Sequence, residues 1–198
     1  MRLIAAKCPA CSASLAPGND DLVVVCEECF TCIRLDEGDV AEISVRFVAP
    51  GPEPATTRWV PFWVFEGEVV VTERTTHDGP SLAAAWATWE KRRLFFVPAW
   101  RTTTRAARST CREMLEVEPR LQPVERPVPL SLMPVTLAAD DARKVLDLTV
   151  FTIEVKRADM LKSLKFDLEV GDPEVWALPE SSVRTGAAPR AGVAARGV

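Results

Sequence analysis

Lys7-Cys8-Pro9-Ala10-Cys11 and Leu22-Val23-Val24-Val25-Cys26-Glu27-Glu28-Cys29 decide how the start of this chain folds. A Cys-x-x-Cys turn brings two thiolates to adjacent corners of a tetrahedron. A second such turn, returned by a hairpin, supplies the other two. Fourteen residues separate the pairs, and the apolar run Leu22–Val25 is the strand that delivers the second one. A segment this small has no core of its own, so metal binding drives its folding. The expected ligands are Cys8, Cys11, Cys26 and Cys29, and the expected ion is Zn²⁺. Cys29 and Cys32 form a further Cys-x-x-Cys. Cys26 is the preferred ligand because it directly follows the strand, which leaves Cys32 as a small buried residue on the outgoing strand. Four thiolates close the coordination sphere, so the ion is expected to be structural rather than catalytic.

Cys8-Pro9-Ala10-Cys11-Ser12-Ala13-Ser14-Leu15 resembles the first knuckle of bacterial zinc ribbons. Cys29-Phe30-Thr31-Cys32-Ile33-Arg34-Leu35 resembles the second knuckle and its outgoing strand. Glycine usually follows the second cysteine of each knuckle in that superfamily. Ser12 and Phe30 stand in those places here. The resemblance covers residues 1–35 and implies a rigid, metal-folded module of a kind common in transcription, replication and translation machinery. A rubredoxin-like iron site and a redox dithiol are the alternatives for the same cysteines.

The 198 residues allow one medium domain beside this module, and 47% apolar content is ordinary for a globular core. Sixteen prolines argue for short elements separated by fixed turns. The net charge of −4 argues against a uniform nucleic-acid-binding surface. Met1–Lys7 is too short and too soon interrupted to read as a secretory signal. No apolar run approaches the roughly 18–20 residues of a membrane span. Paired cysteines without a disulfide framework suit a reducing cytoplasm. The expected fold class is α+β: a ribbon over 1–35, a mixed domain of short antiparallel strands and about three helices over 40–180, and a disordered tail over 181–198. The mixed domain has a candidate division at the proline-rich stretch 119–134.

Within that domain, alternation predicts a strand over Val40–Val48, and Pro50–Pro54 reads as a stiff linker. Trp59–Phe65 and Glu68–Glu73 read as two strands of a hairpin turning at Glu66-Gly67. Ser81 is placed to cap a short helix carrying Leu82, Ala85, Trp86 and Trp89. Leu94–Val97 reads as a strand ending at Pro98, and Thr102–Val117 is the clearest helix. Then follow a helix over 140–148, a strand over 149–155, a short helix over 158–164 and a strand over 166–170. Val60-Pro61-Phe62-Trp63 is echoed by Val97-Pro98-Ala99-Trp100, and two copies do not establish a repeat array.

Charge is unevenly placed. Residues 91–112 carry seven basic side chains and no acidic one. Arg101, Arg105, Arg108 and Arg112 recur at helical spacing and form a stripe, with Thr103, Ala106, Ala107, Thr110, Met114 and Val117 opposite. Guanidinium forks on such a stripe suit phosphate or an acidic partner; a solvated face is the plain alternative. The aromatic residues Trp59, Phe62, Trp63, Phe65, Phe95, Phe96 and Trp100 read first as core. Trp63 and Trp100 are candidate partner anchors if exposed, and Pro61 and Pro98 place their strands at edges or strand ends. His77 beside Asp78-Gly79-Pro80 reads as an exposed turn, and Cys111 lies among small helix neighbours, so a Cys111–His77 dyad has little support. No phosphate loop or serine-nucleophile motif is present.

Three functions remain in competition. The first is a non-enzymatic adaptor or assembly subunit working through protein–protein contacts. The second is a nucleic-acid-associated accessory factor that binds phosphates through the arginine helix. The third is an iron-binding electron carrier or enzyme.

Overall fold

The computed structural model describes residues 6–36, 39–51 and 58–183. Most of the expected linker, Met1–Ala5 and the tail beyond Val183 lie outside these residues. The fold class is α+β, as the sequence implied. In chain order the elements are β1 Val23–Val25, β2 Cys32–Asp36, β3 Asp39–Glu42, β4 Val45–Ala49, β5 Arg58–Thr76, β6 Gly79–Pro80, α1 Leu82–Trp89, β7 Arg93–Pro98, α2 Thr104–Val117, β8 Gln122–Pro123, β9 Ser131–Leu132, α3 Ala139–Val155, β10 Leu161–Val170 and β11 Glu174–Pro179. A 3-10 turn, Glu180–Ser182, follows, and Val183 behind it is buried, so residues 181–183 are not part of a disordered tail.

β1, β2 and β3 form an antiparallel sheet of their own. The single strand expected over Val40–Val48 is two: the chain leaves the small sheet after Glu42 and enters the large one at Val45. Its alternation runs on through the break at Ile43-Ser44, so pattern alone does not reveal it.

The large sheet is organised by β5. The expected hairpin at Glu66-Gly67 is absent, and the strand runs unbroken for 19 residues. One long edge of β5 is filled by β10 and then β11, both antiparallel to it, with Val170 opposite Gly67 and Glu174 opposite Val64. Gly67 is there for close approach, not for turning. A Cβ on it would lie 2.1 Å from the Glu169 carbonyl oxygen and 2.6 Å from the Val170 Cα. Across the other edge β7 pairs antiparallel with Phe62–Gly67. The two echoed segments are therefore neighbours in one ladder. Pro98 ends its strand as expected, but Pro61 sits mid-strand in the most central one. The position tolerates proline because the Ala99 carbonyl, left without a Pro61 N–H, accepts from Thr136 and Leu137 N–H at 2.9 Å each, while the Pro61 carbonyl still accepts the Ala99 N–H at 3.1 Å. β11, not anticipated from sequence, also pairs parallel with β4.

The three helices gather against β5, β7 and β10. Phe65, Val69, Val71, Ala85, Trp89, Phe95, Cys111, Leu115, Ala142, Leu146 and Val150 form that core. α3 is one 17-residue helix, so the strand expected over 149–155 is a correction. Its β-branched residues favour a strand only weakly. Ala142, Leu146, Val150 and Ile153 recur at helical spacing against the sheet, and burial of that face prevails. The short helix expected over 158–164 is replaced by β10, which begins at Leu161.

One ionic cluster locks α3 to the sheet. The Arg74 Nε of β5 donates to the Glu154 Oε2 of α3 at 2.8 Å, and the other Glu154 oxygen accepts from Trp89 Nε1 at 2.7 Å and Arg157 Nη2 at 2.8 Å. Asp159 completes the set by accepting from Arg74 Nη2 at 2.8 Å. The Arg74 and Glu154 side chains are both wholly buried.

Candidate metal centre and cationic cleft

The ribbon builds its centre from two turns with the same backbone signature. In the first, Ser12 N–H donates to the Cys8 carbonyl at 2.8 Å; in the second, Phe30 N–H donates to the Cys26 carbonyl at 2.9 Å. Ser12 and Phe30 both adopt the left-handed conformation, at φ 65° and 57°. Glycine adopts such a region freely, and L-residues occupy it at a cost. Sequence and geometry agree on which residue each knuckle bends at.

The four sulfurs of Cys8, Cys11, Cys26 and Cys29 all lie within 4.8 Å of one another. Cys8–Cys29 and Cys11–Cys26 are each separated by 3.6 Å. A tetrahedral ion with metal–sulfur bonds of about 2.3 Å needs sulfur–sulfur edges of about 3.8 Å. The donor set therefore fits a metal ion. Outer partners orient the thiolates: Thr31 hydroxyl lies 3.2 Å from Cys29 Sγ, and the Ala13 N–H hydrogen-bonds Cys11. Cys11 and Cys29 are shifted in opposite directions. The Thr31 hydroxyl and N–H, with the neighbouring sulfurs, pull Cys29 down to about 6. For Cys11, the Ala13 bond acts downward but burial and the three other sulfurs outweigh it, pushing the thiol up to about 12.

Cys32 is not in the cluster. It pairs with Val25 across the β1–β2 ladder, and burial pushes its thiol up to about 11. Cys111 is wholly buried in the core and burial raises it to about 12, while His77 is exposed on its turn, so the two do not form a reactive pair.

The ribbon is seated on the large sheet. Leu22 N–H donates to the Val135 carbonyl at 2.7 Å, and Val135 N–H returns to Val23 at 3.0 Å. Val23 and Cys32 share a core with Phe47, Trp59, Ala99, Leu130, Val135, Val175 and Ala177.

The aromatic candidates are core. Trp100 is 2% exposed and packs edge-to-face on Phe62 at 5.3 Å. Trp63 is half-buried and donates its Nε1 proton to the Leu137 carbonyl at 2.7 Å. Neither offers the exposed surface that a partner anchor needs.

The arginine stripe divides. Arg101 lies before α2, which starts at Thr104 rather than Thr102, and pairs with Asp20 of the ribbon at 2.8 Å. Thr103 caps the helix by accepting the Ala106 N–H at 3.2 Å. The buried face of α2 is Ala107, Thr110, Cys111 and Leu115; Val117, expected inside, is 63% exposed.

Arg105, Arg108 and Arg112 line a cleft of about 520 Å³ between α2 and α3, joined by Lys156 of the α3 terminus. Ser109, Thr149 and Thr152 complete its walls with Thr103 and Ala106, and no carboxylate is among the lining residues. Lys156 has no counterpart in the sequence reading, because a lone lysine some 44 positions after Arg112 carries no periodic signal. Beside it, α3 exposes Leu148, Phe151 and Val155. These are spaced as a single helical ridge, and Thr152 separates them from the cleft.

The chain matches no protein-family profile, no curated protein and no solved structure.

Proposed function

We propose that this chain is a non-enzymatic adaptor built around a structural zinc ribbon, and that it holds an acidic protein partner on the α2–α3 surface. The observation that carries the reading is the cleft lining: three arginines and a lysine with no carboxylate among them. A merely solvated helix face mixes charges along itself, as most of the chain does. The adjoining ridge of Leu148, Phe151 and Val155 adds the apolar element that a protein contact needs and that phosphate-backbone binding does not. Support for zinc comes from the all-thiolate donor set and the tetrahedral spacing of the sulfurs. With all four positions taken by protein, the ion holds the knuckles together and leaves no site for substrate.

Two measurements test this. Elemental analysis of purified protein is expected to give one zinc per chain in a colourless sample; a red or brown protein containing iron overturns the metal assignment. Affinity capture from native lysate at about 0.15 M salt is expected to return a partner that is lost on Arg105→Glu and Lys156→Glu. A protein that stays monomeric and partnerless, or a partner retained by both variants, sinks the adaptor reading.

A further inference from the structure

The cleft walls contain more than positive charge. Thr149 donates its hydroxyl proton to the Val145 carbonyl at 2.8 Å, and Thr152 donates to Leu148 at 2.6 Å. Ser109 directs its own toward Glu113 at 3.2 Å. All three hydroxyl protons are thereby committed within the protein, and Thr152 Oγ1 also accepts Arg108 Nη1 at 3.1 Å. Thr152 is thus a positioning residue that aims the Arg108 fork. Three guanidinium groups, one ammonium group and the Thr103 hydroxyl remain as donors along the lining, which suits an anionic acceptor.

The cations are also short of partners. Among the described residues, Arg105, Arg108 and Lys156 have no ion-pair partner. Arg112 has only Glu116, with Nε 3.5 Å from its carboxylate, too long for a hydrogen bond. The Nε–H groups of Arg108 and Arg112 are shut off from solvent with no acceptor among the described residues. Arg93 and Arg157 outside the cleft share this feature, so the lack of carboxylates in the lining is what sets the cleft apart. Arg105 stands in the first turn of α2, where no acidic residue balances the helix dipole. A cation there opposes helix stability, and an anion bound between it and the helix N-terminus reverses that penalty.

We propose that the α2–α3 cleft binds a phosphate monoester, carried on a phosphorylated side chain of the protein partner. The inference rests on the adaptor reading for the source of the phosphate. A phosphoryl group brings close to two negative charges at neutral pH and three acceptor oxygens, which matches a lining of three guanidinium groups and one ammonium group better than one carboxylate does. The lining has no aromatic or large aliphatic side chain to grip the body of a small organic phosphate. The apolar contact lies outside, on Leu148, Phe151 and Val155, where residues flanking a phosphorylated side chain would rest. Arg105 and Arg112 are about 10 Å apart along the helix, so a neighbouring acidic residue of the partner also finds a fork.

The test uses the full zinc-loaded chain and fluorescent peptide libraries with a fixed central phosphoserine, the same libraries with serine or glutamate there, inorganic pyrophosphate, and single-stranded RNA. The phosphoserine library is expected to bind at least about tenfold more tightly than the serine or glutamate ones. Arg108→Ala and Arg112→Ala are expected to remove about tenfold or more each, and Thr152→Val several-fold. Arg108→Lys, which keeps the charge and the fold but loses the fork, is expected to fall nearly as far as Arg108→Ala. Equal binding of all three libraries, full rescue by Arg108→Lys, or tighter binding of pyrophosphate or RNA than of phosphopeptide overturns the proposal. Phosphatase treatment of the lysate separates this failure from that of the adaptor reading. A captured partner indifferent to phosphatase defeats the phosphate site alone, whereas absence of any partner defeats the adaptor.

Discussion

Replacing Glu154 by alanine is expected to be among the most damaging single changes away from the metal. Its carboxylate accepts from Arg74, Trp89 and Arg157 at 2.7–2.8 Å, and its side chain is fully buried. Bonds to charged donors contribute about 1.5–3 kcal/mol each and the indole bond about 1 kcal/mol. These are not additive, and Asp159 goes on compensating Arg74. Removing one member of a buried pair costs about 3–5 kcal/mol, so about 4 kcal/mol is expected. For a chain of this length that lowers Tm by roughly 8–16 °C. Glu154→Gln discriminates further. Donors face both carboxylate oxygens, so an amide necessarily sets its NH₂ against one of them, and the loss is expected to remain above about 2 kcal/mol. Urea unfolding of the zinc-saturated protein followed by tryptophan fluorescence reads both values, with exposed Glu116→Gln as a control expected within about 0.5 kcal/mol. A loss below about 1 kcal/mol for Glu154→Ala would refute the reasoning, because it would mean that water already solvates the cluster.

Four further outcomes are expected. Cys26→Ser abolishes stoichiometric zinc while Cys32→Ser retains it; the reverse result in elemental analysis moves the ligand from the knuckle to the strand. Ser12→Gly relieves a left-handed residue and raises resistance to a competing chelator by about 0.5–1 kcal/mol, roughly two- to fivefold; unchanged resistance means the knuckle is unstrained. Gly67→Ala drives a methyl group onto the Glu169 and Val170 backbone and costs about 2–3 kcal/mol in urea unfolding, whereas a neutral result disproves the ladder register. Arg74 holds the Asp159 carboxyl below its ordinary value, chiefly by a hydrogen bond. A depressed folded value means the contribution is present above about pH 4 and fades as pH falls through it, so Asp159→Asn is expected to flatten the acid limb of the stability profile.

The parts legible in the sequence are those whose signal is local. Two Cys-x-x-Cys turns and the strand between them specify their own geometry, and the four sulfurs do converge. Helix α2 declares itself through the period of Arg105, Arg108 and Arg112, although Arg101 and the capping Thr103 lie before its first turn. What was not legible depends on partners distant in sequence. Gly67 looks like a turn until β10, a hundred residues later, is laid against it. The segment 149–155 looks like a strand until Arg74 and Trp89 draw Glu154 inward and fix it as helix. Pro61 looks like an edge residue because a rule about missing donors does not see Thr136 and Leu137, whose N–H groups serve the Ala99 carbonyl in its place.

The candidate site shows the same division at smaller scale. The sequence places arginines on one helix face but does not say what stands opposite. Were it open water, the guanidinium groups would be hydrated and indifferent to one another. Instead α3 stands there, pinned by Glu154, and presents Thr152 to Arg108 and Lys156 to the cleft. The buried ion cluster and the cleft thus occupy two faces of the same helical turn. A loosened Glu154 cluster lets Thr152 and Lys156 drift together. Anion affinity in Glu154 variants is therefore expected to fall at temperatures where the four-cysteine centre still retains a bound metal. Affinity that instead persists until the whole chain unfolds would mean that α2 alone makes the site.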